Sequence, residues 1–266
     1  MSGMSPPIAR SLAGHQSPGF GGGEGAASQR PPLPTTAYEY FHGELGASAA
    51  NAIGQLATIT LPGTGTPVVG VDTGFFREKP VYQSAITGSK GWRQTGLTTG
   101  INASTRPYYA AVCRTRTMVT TSGGNITAFA AGGGSGATED QCRLLWDSDG
   151  AGVDRYQFLR RHNSGNIVAN TGDIQDANVH FFEMIHDATA GDVLYCDGVS
   201  VASTTAGNAT DAVTTGVTYA GIGVLASAAA NFSNTSLAFW LWCTAAPSAA
   251  ERAALLAWSR AYWGSV

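Results

Sequence analysis

Charge is scarce in this sequence. Of its 266 residues only 12% are Asp, Glu, Lys or Arg, with a formal net charge of -3, against the roughly 25% usual for soluble domains. No Lys/Arg cluster interleaves with aromatics, so the footprint of a DNA- or RNA-binding surface is missing and direct nucleic-acid binding is not expected. Long apolar runs are also missing, which excludes a membrane-spanning helix. The opening MSGMSPPIARSLAGHQ lacks the basic start and unbroken apolar core of a secretory signal, which predicts synthesis and folding in the cytoplasm. Cys113, Cys142, Cys196 and Cys243 form no close pairs, an argument against a zinc site or disulfide scaffold and in favour of buried free thiols. Neither a Gly-x-Ser-x-Gly elbow nor a phosphate-binding loop occurs, and Gly132 to Gly136 lacks the lysine that such a loop needs.

What is plentiful is glycine, at 35 residues, and its distribution divides the chain. Residues 1–36 are Pro/Gly/Ser-rich, with Ile8, Leu12, Phe20 and Leu33 as isolated apolar points. Fixing a residue costs about 1–2 kcal/mol of backbone freedom, so an arm of this composition orders only against something it contacts. It is expected to anchor the chain to a partner, the apolar points docking and Arg10 and Arg30 meeting acidic groups. Residues 37–266 then form one globular domain. There, short Val/Ile/Thr/Tyr/Phe runs alternate with Gly/Pro punctuation, as many antiparallel strands do. Strands are expected near Ile53–Leu61, Tyr108–Val119, Asn125–Ala131, Cys142–Trp146, Tyr156–Arg161 and Asn166–Asn170.

The last third of the chain is the most legible. His180, Phe182, Met184 and His186 alternate with Phe181, Glu183, Ile185 and Asp187, which predicts a strand with two distinct faces. Ala190-Gly191-Asp192 reads as a turn. Val193–Cys196 then leads to Asp197-Gly198, a pair suited to a tight hairpin because both residues tolerate positive φ, and Val199–Ser203 returns. A strand near Gly221–Leu225 and a final strand, LAFWLWCTA, follow. Pro247-Ser248-Ala-Ala-Glu251 is a capping box opening a helix that buries Leu255, Trp258 and Tyr262 and ends at Gly264.

This order, with its LYCDG hairpin, IGV strand, terminal strand and capped helix, resembles the LamG-like, concanavalin A-like jelly rolls. The resemblance implies an all-β, two-sheet antiparallel jelly-roll sandwich with a short C-terminal helix and an extended N-terminal arm. A neutral Gly/Thr/Asn surface behind such an arm looks like the structural proteins of tailed bacteriophages. That implies a virion component, a capsid decoration or tail protein, forming homo-oligomers and contacting other structural proteins of a large assembly.

Candidate chemistry is sparse. The Glu-x-Asp-x-x-Glu pattern of the family's glycan hydrolases is absent, and Glu139 and Asp140 are adjacent and point to opposite faces, so no enzymatic activity is expected. On a strand, Glu183 faces away from His180 and His186, so these three do not form a metal site. Asp147-Ser-Asp149-Gly150 resembles the start of a calcium loop, but the glutamate that would complete it falls on Phe158, which leaves Asp147 and Asp149 a weak calcium candidate and no other cofactor implied. The alternative function is binding of a surface glycan by Trp92, Trp146 or Tyr156, aromatics flanked by polar residues that could stack on a sugar ring, although the core claims most aromatics.

Overall fold

The computed structural model describes residues 30–45, 49–50, 60–61, 63–64, 68–95, 108–116, 126–133, 140–148, 154–162, 165–170, 177–187, 191–205, 219–223 and 234–266. In chain order the strands are β1 (Ala37–His42), β2 (Ala49–Ala50), β3 (Thr60–Leu61), β4 (Gly63–Thr64), β5 (Val68–Val71), β6 (Pro80–Gln83), β7 (Gly91–Thr95), β8 (Tyr108–Thr115) and β9 (Ile126–Gly133). They continue with β10 (Asp140–Ser148), β11 (Asp154–His162), β12 (Gly165–Asn170), β13 (His180–Asp187), β14 (Gly191–Cys196), β15 (Val199–Thr204), β16 (Tyr219–Ile222) and β17 (Thr235–Cys243), before the helix α1 (Ala249–Trp263).

Two antiparallel sheets face each other, as the sequence implied. The first runs β15-β14-β13-β8-β17-β6-β5, with β1 also paired to β17, and the second runs β12-β11-β10-β9-β16-β7-β4. The short pair β2-β3 stands apart. In the first sheet the central strands β8 and β17 are buried along their whole length. An antiparallel strand with one wet face alternates apolar and polar residues, whereas one covered on both faces reads as a continuous apolar run. That is why YYAAVC and LAFWLWC look as they do: the second sheet covers one face and α1 the other.

Ring contacts separate the two cores. Toward the second sheet, Tyr82 meets Trp92 edge-on at 5.2 Å and Phe182 meets Tyr156 at 4.3 Å. Toward the helix, Phe239 meets Trp258 at 5.0 Å, within a cluster that also holds Tyr108, Val112, Phe181, Ile185, Leu241, Leu255, Tyr262 and Trp263. The alternation read on β13 is therefore correct, with Phe182 toward the second sheet and Phe181 and Ile185 toward the helix. On β17, Phe239 and Leu241 take the helix side, while Trp240 stacks on Phe41 and Trp242 on Tyr109.

The capping box forms as expected: Ser248 Oγ accepts from the Glu251 N–H and the Glu251 carboxylate accepts from the Ser248 N–H. Gly264 ends the helix at φ 73, donating to the Arg260 carbonyl. Strands β1, β5, β6 and β7 carried no strand expectation. They are short or contain Gly or Pro, and pairing with neighbouring strands makes them strands rather than their own pattern. The turn assigned to residues 190–192 is corrected in part, since Gly191 and Asp192 already belong to β14 and Asp192 pairs across to His186.

Ile8, Arg10, Leu12 and Phe20 lie outside the described residues. Arg30 is exposed, but Pro31 and Pro34 are buried and Leu33 packs against the helix-side core. Thr35 N–H donates to Glu251 Oε1 at 2.8 Å, and Thr36 Oγ1 donates to the Ala245 carbonyl at 2.9 Å. Glu251 is drawn down to about 2, first by that Thr35 N–H and then by Ser248. Residues 31–36 thus pack against the end of β17 and the start of α1. Protein lacking residues 1–29 serves as the reference for a truncation test. Removing 1–36 deletes the Thr36 bonds and the Leu33 contact, worth about 2 kcal/mol, and lowers the melting temperature by roughly 4–8 °C at this chain size. Differential scanning calorimetry of the two truncations checks this.

Candidate functional site

Two of the three aromatics singled out for sugar stacking do not present themselves to solvent. Trp92 and Tyr156 are each only 1% exposed. Both fill the space between the sheets, because their strands turn these positions inward, and Tyr156 OH lies 3.2 Å from Thr115 Oγ1. Trp146 stands opposite Tyr156 in the β10–β11 ladder, and its side chain lies outside the described residues. Asp147 pairs in register with Arg155 on the same ladder, and Asp149 lies outside the described residues.

Among the described residues, two neighbouring clusters at the β13–β14–β15 end of the first sheet carry polar chemistry near α1. The first is a groove of about 240 Å³ between that sheet and the start of α1, lined by Glu183, Tyr195, Gly198, Arg252, Ala253 and Leu256. Glu183 is buried there and receives Arg252 Nε at 2.8 Å, Arg252 Nη2 at 3.2 Å and Tyr108 OH at 2.7 Å. The Arg252 guanidinium also lies 4.1 Å from the centre of the Tyr195 ring, a cation–π geometry. Burial works to lower the Arg252 pKa, but the hydrogen bonds and charge of Glu183 outweigh it and the net shift is upward. Tyr108 moves upward too, through burial first and the neighbouring Glu183 charge second. The groove therefore offers an aromatic face beside a charge-balanced pair rich in donors and acceptors. Its volume lies below the ~300–1,000 Å³ of drug-sized ligand pockets, so it suits one ring-sized polar group.

The second cluster lies at the β14–β15 hairpin. Asp197 at φ 53 and Gly198 at φ 88 form its two-residue turn, both left-handed as a type I′ turn requires. Asp197 N–H donates to the Phe181 carbonyl and Phe181 N–H donates to Asp197 Oδ1, each at 2.8 Å. Asp197 Oδ2 is thereby aimed at His180 Nδ1, 2.6 Å away, with Cys196 Sγ 3.3 Å from Oδ2 and 3.5 Å from Nδ1. The helix clamps this turn: Arg260 Nη2 donates to the Asp197 carbonyl at 3.2 Å, and a side chain at Gly198 would meet Leu256 at 2.6 Å.

Sequence reasoning placed Glu183 on the face away from the histidines, and the structure agrees. It missed both clusters, because Arg252 comes from a helix 69 residues away and Cys196-Asp197 meet His180 only through the β13–β14 register. The LYCDG hairpin was the available signal. Cys113, Cys196 and Cys243 are buried free thiols, as expected, and burial pushes Cys243 up to about 12. The side chain of Cys142 lies outside the described residues.

The fold places the chain among the antiparallel, jelly-roll-like β-sandwiches. Among solved structures, it is similar to Trypanosoma rangeli sialidase in complex with the inhibitor DANA, with a TM-score of 0.55 and 13% identity over 82% of this chain and 32% of that one. It is also similar to the binding domain of botulinum neurotoxin DC in complex with SialylT, with a TM-score of 0.58 and 7% identity over 85% of this chain and 51% of that one. A third structure, from work describing ganglioside-dependent cell entry of botulinum neurotoxin type C, gives a TM-score of 0.60 at 7% identity over 86% of this chain and 52% of that one. The chain spans about a third of the sialidase and about half of the neurotoxin chains. At these identities the likeness is one of fold. No protein-family model and no curated protein sequence matches.

Proposed function

We propose that this chain is a non-catalytic carbohydrate-binding module that takes one sugar ring of a surface glycan in the groove beside Tyr195. The supporting observation is the sandwich shared over 82–86% of the chain with proteins whose solved structures concern sialic-acid-type ligands and gangliosides. The groove supplies the chemistry such a role needs: the Tyr195 ring for the apolar face of a sugar, and Arg252 and Glu183 for its hydroxyls. Because those two charges neutralise each other, the groove favours uncharged, hydroxyl-rich rings over acidic ones.

A glycan array read with the intact protein tests this. Binding to a defined glycan is expected, weakened about tenfold or more by Tyr195→Ala, which corresponds to about 1.4 kcal/mol or more. Binding that survives Tyr195→Ala would move the site elsewhere on the sandwich, and an array without any bound glycan would sink the reading. No sugar release is expected from a panel of sialosides and polysaccharides.

The module is carried outward by its N-terminal segment, which anchors it to a larger particle, a virion capsid or tail being the assembly that the arm's composition fits. Its support is the fixed point of departure: residues 31–36 are tied to the folded body, so the chain before residue 30 leaves from a defined place. Protein lacking residues 1–29 should fold and bind glycan but fail to incorporate into the particle. Normal incorporation would refute the anchoring role.

A further inference from the structure

We propose that His180, Cys196 and Asp197 form a binding site for a zinc-class divalent metal, a role independent of the glycan-binding groove. One donor atom from each residue lies within 4.8 Å of the others. An imidazole nitrogen, a thiolate sulfur and a carboxylate oxygen are the donor types zinc uses, and three protein ligands with one position left to solvent is a common coordination for it.

Spacing supports the assignment. Tetrahedral bonds of about 2.0–2.3 Å separate neighbouring ligand atoms by roughly 3.3–3.7 Å. Cys196 Sγ already stands 3.3 Å from Asp197 Oδ2 and 3.5 Å from His180 Nδ1. His180 Nδ1 and Asp197 Oδ2, at 2.6 Å, are at hydrogen-bonding distance and separate by about 0.7 Å or more, through side-chain rotation, when the metal replaces the shared proton, which leaves to solvent or moves to His180 Nε2. The Cys196 thiol releases its proton to solvent in the same step.

The surroundings orient the ligands as outer partners in metal sites do. Phe181 N–H holds Asp197 Oδ1 and leaves Oδ2 for the ion, while Arg260 on α1 holds the Asp197 carbonyl. His180 and Cys196 are buried, at 5% and 8% exposure. The Asp197 side chain is 17% exposed and marks the side from which an ion and its water enter. Cys113 lies opposite His180 on β8, but its sulfur is outside the set.

Cobalt(II) titration of the reduced full chain tests the site. One equivalent is expected to bind, giving a thiolate-to-cobalt charge-transfer band and tetrahedral visible absorption, both lost when zinc is added. Cys196→Ser should abolish the charge-transfer band, and His180→Gln should weaken binding by more than the roughly 10–100-fold that losing an outer partner costs. Cys243→Ser, on the helix side of the sheet, should change neither. Should the Cys196 variant fail to fold, zinc protection of Cys196 from alkylation in the unmodified protein, located by mass spectrometry, supplies the second reading. The proposal is overturned if the unmodified chain shows no charge-transfer band, if the band survives Cys196→Ser, or if zinc leaves Cys196 alkylation unchanged.

Discussion

Arg252→Ala is expected to lower the unfolding free energy by about 3–5 kcal/mol, because it leaves the buried Glu183 carboxylate without its cation. Glu183 is only 2% exposed, and with Arg252 gone its remaining partner in the groove is the Tyr108 hydroxyl. Urea denaturation of Arg252→Ala, Glu183→Ala and the double variant checks this. The double variant should lose much less than the sum of the two singles, since removing both charges removes the uncompensated one. Additive losses would mean that the pair is not coupled. In the same proteins the groove loses its donor fork, so Arg252→Ala should also reduce any glycan binding that Tyr195→Ala reduces.

The second large effect lies at the other end of the helix. Trp263 has 0% exposure and packs edge-on against Tyr262 at 5.1 Å and Phe76 at 6.4 Å, with the His42 ring at 4.8 Å. Trp263→Ala is expected to cost about 3–5 kcal/mol, the usual loss for a buried Trp whose cavity cannot fully collapse. Trp263→Phe should cost less than half of that, because it keeps a ring in place and removes an Nε1 without a hydrogen-bond partner among the described residues. Thermal unfolding followed by circular dichroism distinguishes the two variants. The consequence reaches function, since α1 carries Arg252 to the groove, sets Leu256 against Gly198 and holds Asp197 through Arg260. Equal destabilisation by Trp263→Ala and Trp263→Phe would overturn the account in which packing volume carries the loss.

Much of this architecture could be read before any coordinates. The alternation from His180 to Asp187, the Asp197-Gly198 hairpin and the Ser248–Glu251 cap are local patterns, each satisfied by atoms within a few residues, and the structure shows all three. The arm boundary was less legible. Pro31, Leu33 and Pro34 look like linker residues in sequence, and they become part of the body only because the end of β17 and the start of α1 give them something to touch. The burial of Trp92 and Tyr156 was illegible for a related reason. Trp92 and Tyr156 have polar neighbours along the chain, but a strand sends neighbours to opposite faces, and the faces are chosen by the opposing sheet.

By itself the sequence determined the β-rich class of fold, the final hairpin and helix, and the low charge. Those follow from side-chain periodicity, turn-compatible backbone angles and composition, which need no distant partner. Only the tertiary structure decided where chemistry sits. Glu183 acquires Arg252 from a helix 69 residues away, and His180 acquires Cys196 and Asp197 across a strand ladder. Such meetings depend on register and layer packing, set by burial of the whole apolar surface rather than by any local run of residues.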